Sequence, residues 1–283
     1  MSSRGGVKSK ALRKRAVGVL VYALAVGALL IWIGPILWML PSAFKPTELI
    51  TQADLTLWFE PTLEHFRFIF AKQQFLRYML NSCFIALGAT FVASLAGAMA
   101  AYAMRRFGSG GRGLTFLVLL VRMLPGVVLA VPYFITFSSM KLLNTWSALG
   151  FAHIGFTVPF VVWLMLGYVD EIPEALEEAA MVDGSSRLQA FFWIILPLVR
   201  PGLAATAILT AIQSWNEFVY ASVLTWSESA KTLPVAAADF VTAYSVLWGP
   251  MFAAGAIIVI PVFLFTLAVQ RQIVRGLTFG SVK

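Results

Sequence analysis

The stretch "EALEEAAMVDGSSRLQAFFWIILP" (174–197) sets four carboxylates within ten positions, then a glycine, then an apolar run. Glu174, Glu177, Glu178 and Asp183 together exclude a membrane span, because one ionised carboxylate at the bilayer centre already costs about 3 kcal/mol. A merely solvated loop has no use for the interleaved alanines. Pro173 suits the first turn of a helix, where a missing N–H costs nothing. The glutamates that follow are favourable near the positive end of the helix dipole. Their spacing at i, i+3 and i+4 predicts that they share one face. Ala175, Ala179 and Val182 line another, and small residues such as these and Ala180 let a partner's backbone come close. Asp183-Gly184 is predicted to end this helix, since glycine adopts the left-handed conformation cheaply. Ser186 and Gln189 read as a capping box opening a second helix. That helix carries Phe191, Phe192, Ile194 and Ile195, is expected to stop at Pro197, and is followed by a restart at Pro201-Gly202. The segment is thus predicted to be a two-helix elbow that docks onto something outside the lipid.

Away from the elbow the chain is apolar. Of 283 residues 60% are hydrophobic and 12% charged. A spanning helix needs roughly 20 mostly apolar residues. Six stretches meet that requirement, at 16–40, 81–104, 114–137, 146–168, 202–226 and 248–269. The fold class is therefore predicted to be an all-α integral membrane protein with six transmembrane helices. Residues 1–15 form a basic N-terminus, 16–269 a single six-helix transmembrane domain with the elbow at 170–201, and 270–283 a tail. The first stretch exceeds a signal-peptide core and lacks a small-residue cleavage site after it, so it is expected to stay as an anchor. Phe66, Ile69 and Phe70 share a helical face and predict an interfacial helix leading into span two.

Lysines and arginines number fourteen at the N-terminus, the 105–113 and 170–201 loops and the tail, against six on the opposite side. The excess predicts both termini in the cytoplasm. The +8 charge is thereby a topology signal, and nucleic-acid binding is excluded as its cause. Cys83 is the single cysteine, so no disulfide forms within the chain and no thiolate metal site is expected. Two histidines, His65 and His153, are too few to suggest a zinc cluster. Pro35, Pro125, Pro132, Pro159 and Pro261 fall within spans, where kinks are tolerated if neighbouring helices or a water-filled path satisfy the freed carbonyls.

Arg122 and Glu217 are the charges well inside spans, each a functional hypothesis by default. Glu217 belongs to Trp215-Asn216-Glu217-Phe218, with Tyr220 a turn on. Aromatic faces and polar acceptors suit a polyhydroxylated ligand. The alternative is a buried polar network locking span five to a neighbouring helix. Arg122 suits an anionic sugar derivative, or else snorkels or pairs with another subunit.

Glu178-Ala179-Ala180, Gly184 four residues on, then Ile194 and Leu196-Pro197 resemble the EAA-type motif of permease subunits in bacterial ATP-binding-cassette importers. Further stretches are similar to the carbohydrate branch related to the maltose system. They are "PSAFKPTELI" (41–50), "NSCFIALGATFVASLAGAMAAYAMRRF" (81–107), "SWNEFVYASVL" (214–224) and "QRQIVRGLTFGSVK" (270–283). The resemblance implies an inner-membrane subunit forming half of a translocation path for a sugar or sugar derivative. A polyol, a phosphorylated glycerol compound or an amino acid are the alternatives within transport. It also implies a second homologous permease, two ATPase subunits and a periplasmic solute-binding protein. Glu174, Glu177, Glu178, Ala179, Ala180, Asp183 and Gly184 then form the ATPase-coupling element, and Glu178 meets a basic group on the ATPase. ATP and Mg would be used by that partner, with no cofactor or metal on this chain and no catalytic residue. Consistently, the sequence has no G-x-x-x-x-G-K-[ST] phosphate loop; "GSGGRG" (108–113) lacks the lysine. On the same plan the 226–247 loop, with Glu228, Lys231 and Asp239, contacts the binding protein, and 276–283 reaches the ATPase dimer interface. A self-sufficient channel or secondary carrier is the competing class, but no inverted repeat is evident.

Overall fold

The computed structural model of the chain describes the backbone at residues 4–52, 56–108 and 110–279, and side chains at those positions other than 4–14, 72, 269 and 271–279. The described residues are almost wholly helical, with sheet limited to a bridge between Val241 and Val246. In chain order the helices are α1 (Arg4–Ser42), α2 (Thr47–Ile50), α3 (Glu64–Lys72), α4 (Phe75–Arg106), α5 (Gly111–Met123), α6 (Gly126–Ser139) and α7 (Trp146–Asp170). They continue with α8 (Ala175–Val182), α9 (Arg187–Ala190), a π-turn (Phe191–Ile195), α10 (Leu196–Trp215), α11 (Val219–Leu224), α12 (Leu233–Ala238) and α13 (Trp248–Phe279). The basic N-terminal segment and the tail fall partly outside the described residues. Within them, helix runs without a break from Arg4 and as far as Phe279.

Five helical stretches are long and apolar enough to cross a bilayer, and the α5–α6 pair makes a sixth if it counts as one bent span. The expected third span is therefore corrected: α5 and α6 meet at 95°. Each has at most 14 residues, or about 21 Å at 1.5 Å per residue, too short to cross alone. The cause is Pro125. A residue before proline avoids the helical region because the ring crowds its backbone, and Leu124 is accordingly extended, at φ −65° and ψ 130°. Pro35, Pro132, Pro159 and Pro261 lie inside continuous helices.

Span five is corrected too. The helix neither stops at Pro197 nor restarts at Pro201-Gly202, but runs from Arg187 to Trp215 through both prolines. Proline clashes with the carbonyl four residues back. The π-turn just before Pro197 widens the helix by one residue, so that Leu196 N–H donates to Phe191 five residues back, and this makes room for the ring. The run then breaks at 216–218, before α11.

The core is built on α4, α7 and α10. Helices in lipid gain little from hydrophobic burial against one another, so close contact through small residues replaces it. Ala89, Ala93, Ala98 and Ala101 of α4 and Ala148 and Ala152 of α7 are buried. At Gly97 a Cβ would overlap the side chain of Val161 on α7. Met165, Val169, Phe191, Ile195 and Val199 extend this core to the π-turn and α10. A second cluster joins Ile69 of α3 and Phe75 and Tyr78 of α4 to α12 and α13; a helix stands where the sequence places one before span two. A third joins α6, α7 and α11. By contrast, none of the apolar window of α1 is buried within the chain. Its principal neighbour is α13.

Gly97→Leu should separate α4 from α7. Overpacking of this kind costs about 2 kcal/mol, seen as a lower midpoint for thermal unfolding in detergent. An unchanged midpoint would show that the contact has slack.

Candidate functional site

The elbow forms as the sequence chemistry requires. Glu174 caps α8 with its backbone, accepting from Glu177 and Glu178 N–H at 2.9 and 3.0 Å. At the far end Gly184 has φ +89°. Ser185 N–H reaches back to Ala180 O at 3.0 Å and Gly184 N–H to Met181 O at 3.1 Å, which is a Schellman ending. Ser186 and Gln189 then make the reciprocal capping box that starts α9. The π-turn follows without a break, so the second arm of the elbow is the foot of span five.

The three glutamates do not share a face. Glu177 is buried at 3% exposure. Its Oε1 accepts from the Tyr102 hydroxyl and its Oε2 from Arg106 Nε at 3.2 Å, both on α4. Glu174 stays largely exposed while accepting from Arg106 Nη1 at 3.3 Å. The rotation has a simple origin: an apolar core lies under α8, and a carboxylate can enter it only where a cation and a hydroxyl await it. Ala180 is buried as well. What α8 leaves outward is a continuous surface of Ala175, Glu178, Ala179 and Val182, with Asp183 and Gly184 exposed at its end. The outward face of α8 is therefore apolar with one carboxylate, not a row of three.

The span-five quartet divides in a similar way. Trp215 is buried, and its indole N–H donates to Ile258 O of α13 at 3.1 Å. Glu217 closes the break after α10, accepting from Tyr220 N–H at 2.8 Å and Ala221 N–H at 3.1 Å. It stands one residue before the N-cap, Phe218, and its side chain caps the first turn of α11. His153 of α7 approaches it at 3.6 Å and shares its other ring nitrogen with the Ser214 hydroxyl at 2.6 Å. These contacts join the break in span five to α7. Tyr220 is buried beside Tyr133 and Phe156, with ring centroids 5.3 and 5.6 Å away. Asn216 and Phe218 are exposed, the Asn216 amide donating to Ile212 O at 2.9 Å. Arg122 sits in the last turn of α5, exposed, with its guanidinium 4.8 Å from the Phe160 ring centre and in no ion pair among the described residues.

Sequence reasoning passed over Arg106, Tyr102, His153 and Ser214. Tyr102 and Arg106 do share a helix face by their i, i+4 spacing, but their partners lie about 70 residues away and nothing local announces them.

Glu217→Ala should leave two N–H groups at the helix break without an acceptor, at about 1–3 kcal/mol for each buried one. Glu217→Gln keeps one carbonyl oxygen there. The expected order of thermal stability in detergent is wild type above Gln above Ala, and equal midpoints would remove the capping role.

Comparison with known proteins gives this architecture a family. Residues 93–279 match the model of the binding-protein-dependent transport system inner membrane component family. The chain is 39% identical over 253 residues to the trehalose transport system permease protein SugB of Mycobacterium tuberculosis, covering 88% of this chain and 92% of that one. It is 34% identical over 266 residues to the diacetylchitobiose uptake system permease protein DasC of Streptomyces coelicolor, covering 91% and 95%. Its fold matches a chain in the crystal structure of a bacterial ABC transporter involved in the import of the acidic polysaccharide alginate, with TM-score 0.73, 23% identity and 96% and 98% coverage. The chain belongs to the binding-protein-dependent transport system inner membrane component family, and is a multi-pass inner-membrane protein of that group.

Proposed function

We propose that this chain is one of two homologous permease subunits of an ATP-driven importer, and forms half of the path for a sugar or sugar derivative. Two ATP-binding-cassette subunits hydrolyse ATP with Mg in the cytoplasm; this chain is a transport subunit rather than an enzyme. A periplasmic binding protein delivers the solute, and both termini face the cytoplasm. The observation that carries the reading is the outward face of α8. Ala175, Ala179 and Val182, the last 87% exposed, form an uncovered apolar strip beside the carboxylate of Glu178. They sit on a helix held rigidly at both ends, as a surface built to seat a partner would be. Membership in the family and the sugar-transport names of two relatives support the substrate class. The seven coupling residues then act in two ways: Glu178, Ala179, Asp183 and Gly184 meet the ATPase, while Glu174, Glu177 and Ala180 hold the helix that presents them.

In the path, Asn216 is the member of the span-five group free to meet a hydroxyl-rich solute, and Trp215, Glu217 and Tyr220 fix the break that exposes it. A second reading of the substrate rests on Arg122: an exposed guanidinium within a span, without an ion pair among the described residues, suits an acidic sugar.

Glu178→Lys and Gly184→Val should leave membrane insertion intact and cut ATP-driven uptake by about tenfold, the scale of a lost interface contact. Normal uptake in both would remove α8 as the docking element. Arg122→Gln should depress uptake of an acidic sugar more than of a neutral one; an equal effect would leave the neutral class. For orientation, cysteines at Val182 and Tyr244, both exposed, can be compared in a Cys83→Ser background. An impermeant thiol reagent outside intact spheroplasts should label the second and not the first, and the reverse pattern would invert the topology.

A further inference from the structure

Covalently, the elbow continues only into α7 and α10, yet α4 is held to it by side chains. The Arg106 guanidinium, buried at 7% side-chain exposure, fans three donors onto three separate acceptors. Nε meets Glu177 Oε2 at 3.2 Å, Nη1 meets Glu174 Oε1 at 3.3 Å and Nη2 meets Ile172 O at 2.7 Å. Tyr102, one turn earlier, donates to the other Glu177 oxygen. Arg105 adds an ion pair with Asp170 at 2.7 Å, at the end of α7. A planar fork with three fixed directions sets an angle as well as a distance, which a lysine ammonium cannot do. Because Glu177 and Arg106 are both buried, water does not compete for the bond between them, while the bonds to Glu174 and Asp170 lie open to solvent. The docking face of α8 lies on the other side, free of them.

We propose that Arg106, with Tyr102, is the positioning residue that makes α4 turn with the elbow, so that span two moves with the coupling element. This rests on the reading of α8 as the ATPase docking element. Without the fan, α8 would tilt on its two backbone connections and α4 would stay behind. With it, a displacement delivered to Ala175, Glu178 and Ala179 reaches the whole length of α4 and the α7 surface packed on it.

The test uses the intact complex with its ATPase subunits in a Cys83→Ser background, and ATP with vanadate as the only probe. Nitroxides at Leu176 and Leu87 report the elbow against α4, and a pair at Leu80 and Val223 reports the far end of α4 against α11. All four sites are exposed in this chain. In the parent, trapping should leave the first separation unchanged and shift the second. In Arg106→Gln the ATPase subunits should still co-purify and hydrolyse ATP, the first separation should now change, and the shift of the second should be largely lost. Tyr102→Phe keeps the ion pair and should give a smaller effect in the same direction; it decides the matter if Arg106→Gln does not assemble. A first separation that changes in the parent, or variants that shift the second pair as the parent does, would overturn the proposal. A parent complex with no ATPase bound would instead strike the functional reading beneath it.

Discussion

A carboxylate drawn out of water organises the elbow end of this protein. Glu177 lies almost fully buried between Tyr102 and Arg106, and burial of a charge is tolerated only where the partners are complete. Removing one partner from such a pair typically costs about 3–5 kcal/mol, because the other charge is then stranded. That penalty fixes the rotation of α8 about its own axis. It decides that Ala180 looks inward and that Ala179 and Glu178 look out. A helix of eight residues has too little intrinsic stability to hold such an orientation unaided, so the tie to α4 substitutes for length.

The same economy governs the membrane-embedded part. With no water to satisfy a broken helix, each interruption needs its own partner. Where Leu124 and Pro125 break span three, the chain bends by 95°. Where span five breaks at 216–218, the Glu217 carboxylate takes up the exposed N–H groups of α11, and His153 and Ser214 back it from α7 and α10. At Pro197 the helix survives because a π-turn absorbs the misfit. The second parts of both interrupted spans, α6 and α11, pack on each other and on α7, so the breaks shape one shared layer.

How much of this could be read from residues alone depends on the range of the interaction. The elbow was legible almost bond by bond, because Gly184 in the left-handed region and the Ser186–Gln189 box are local devices with local signatures. The membrane class followed from hydropathy, and the family from the spacing of Glu178, Ala179, Ala180, Gly184 and Pro197. The inward turn of Glu177 was not legible, since i, i+3, i+4 spacing says which residues are neighbours and not which way the core lies. Arg106 read as a topology charge because its three acceptors belong to a segment about 70 residues on. Pro197 read as a helix stop because a π-turn has no signature beyond the apolar run it occupies. Glu217 read as a ligand for solute or a lock between helices, and only the fold, by bringing His153 and the α11 amides to it, favours the second.

The central claim is that α8 presents one face to an ATP-hydrolysing partner and keeps the other for its own chain. Photo-activatable residues placed one at a time at positions 179 and 180, in native inner membranes, test it most directly. Ala179 is exposed and Ala180 is buried, although they are adjacent. The expected result is an adduct with the nucleotide-hydrolysing subunit from 179 and none from 180. Equal adducts from both positions, none from 179, or capture of a protein on the outer side of the membrane would contradict the account.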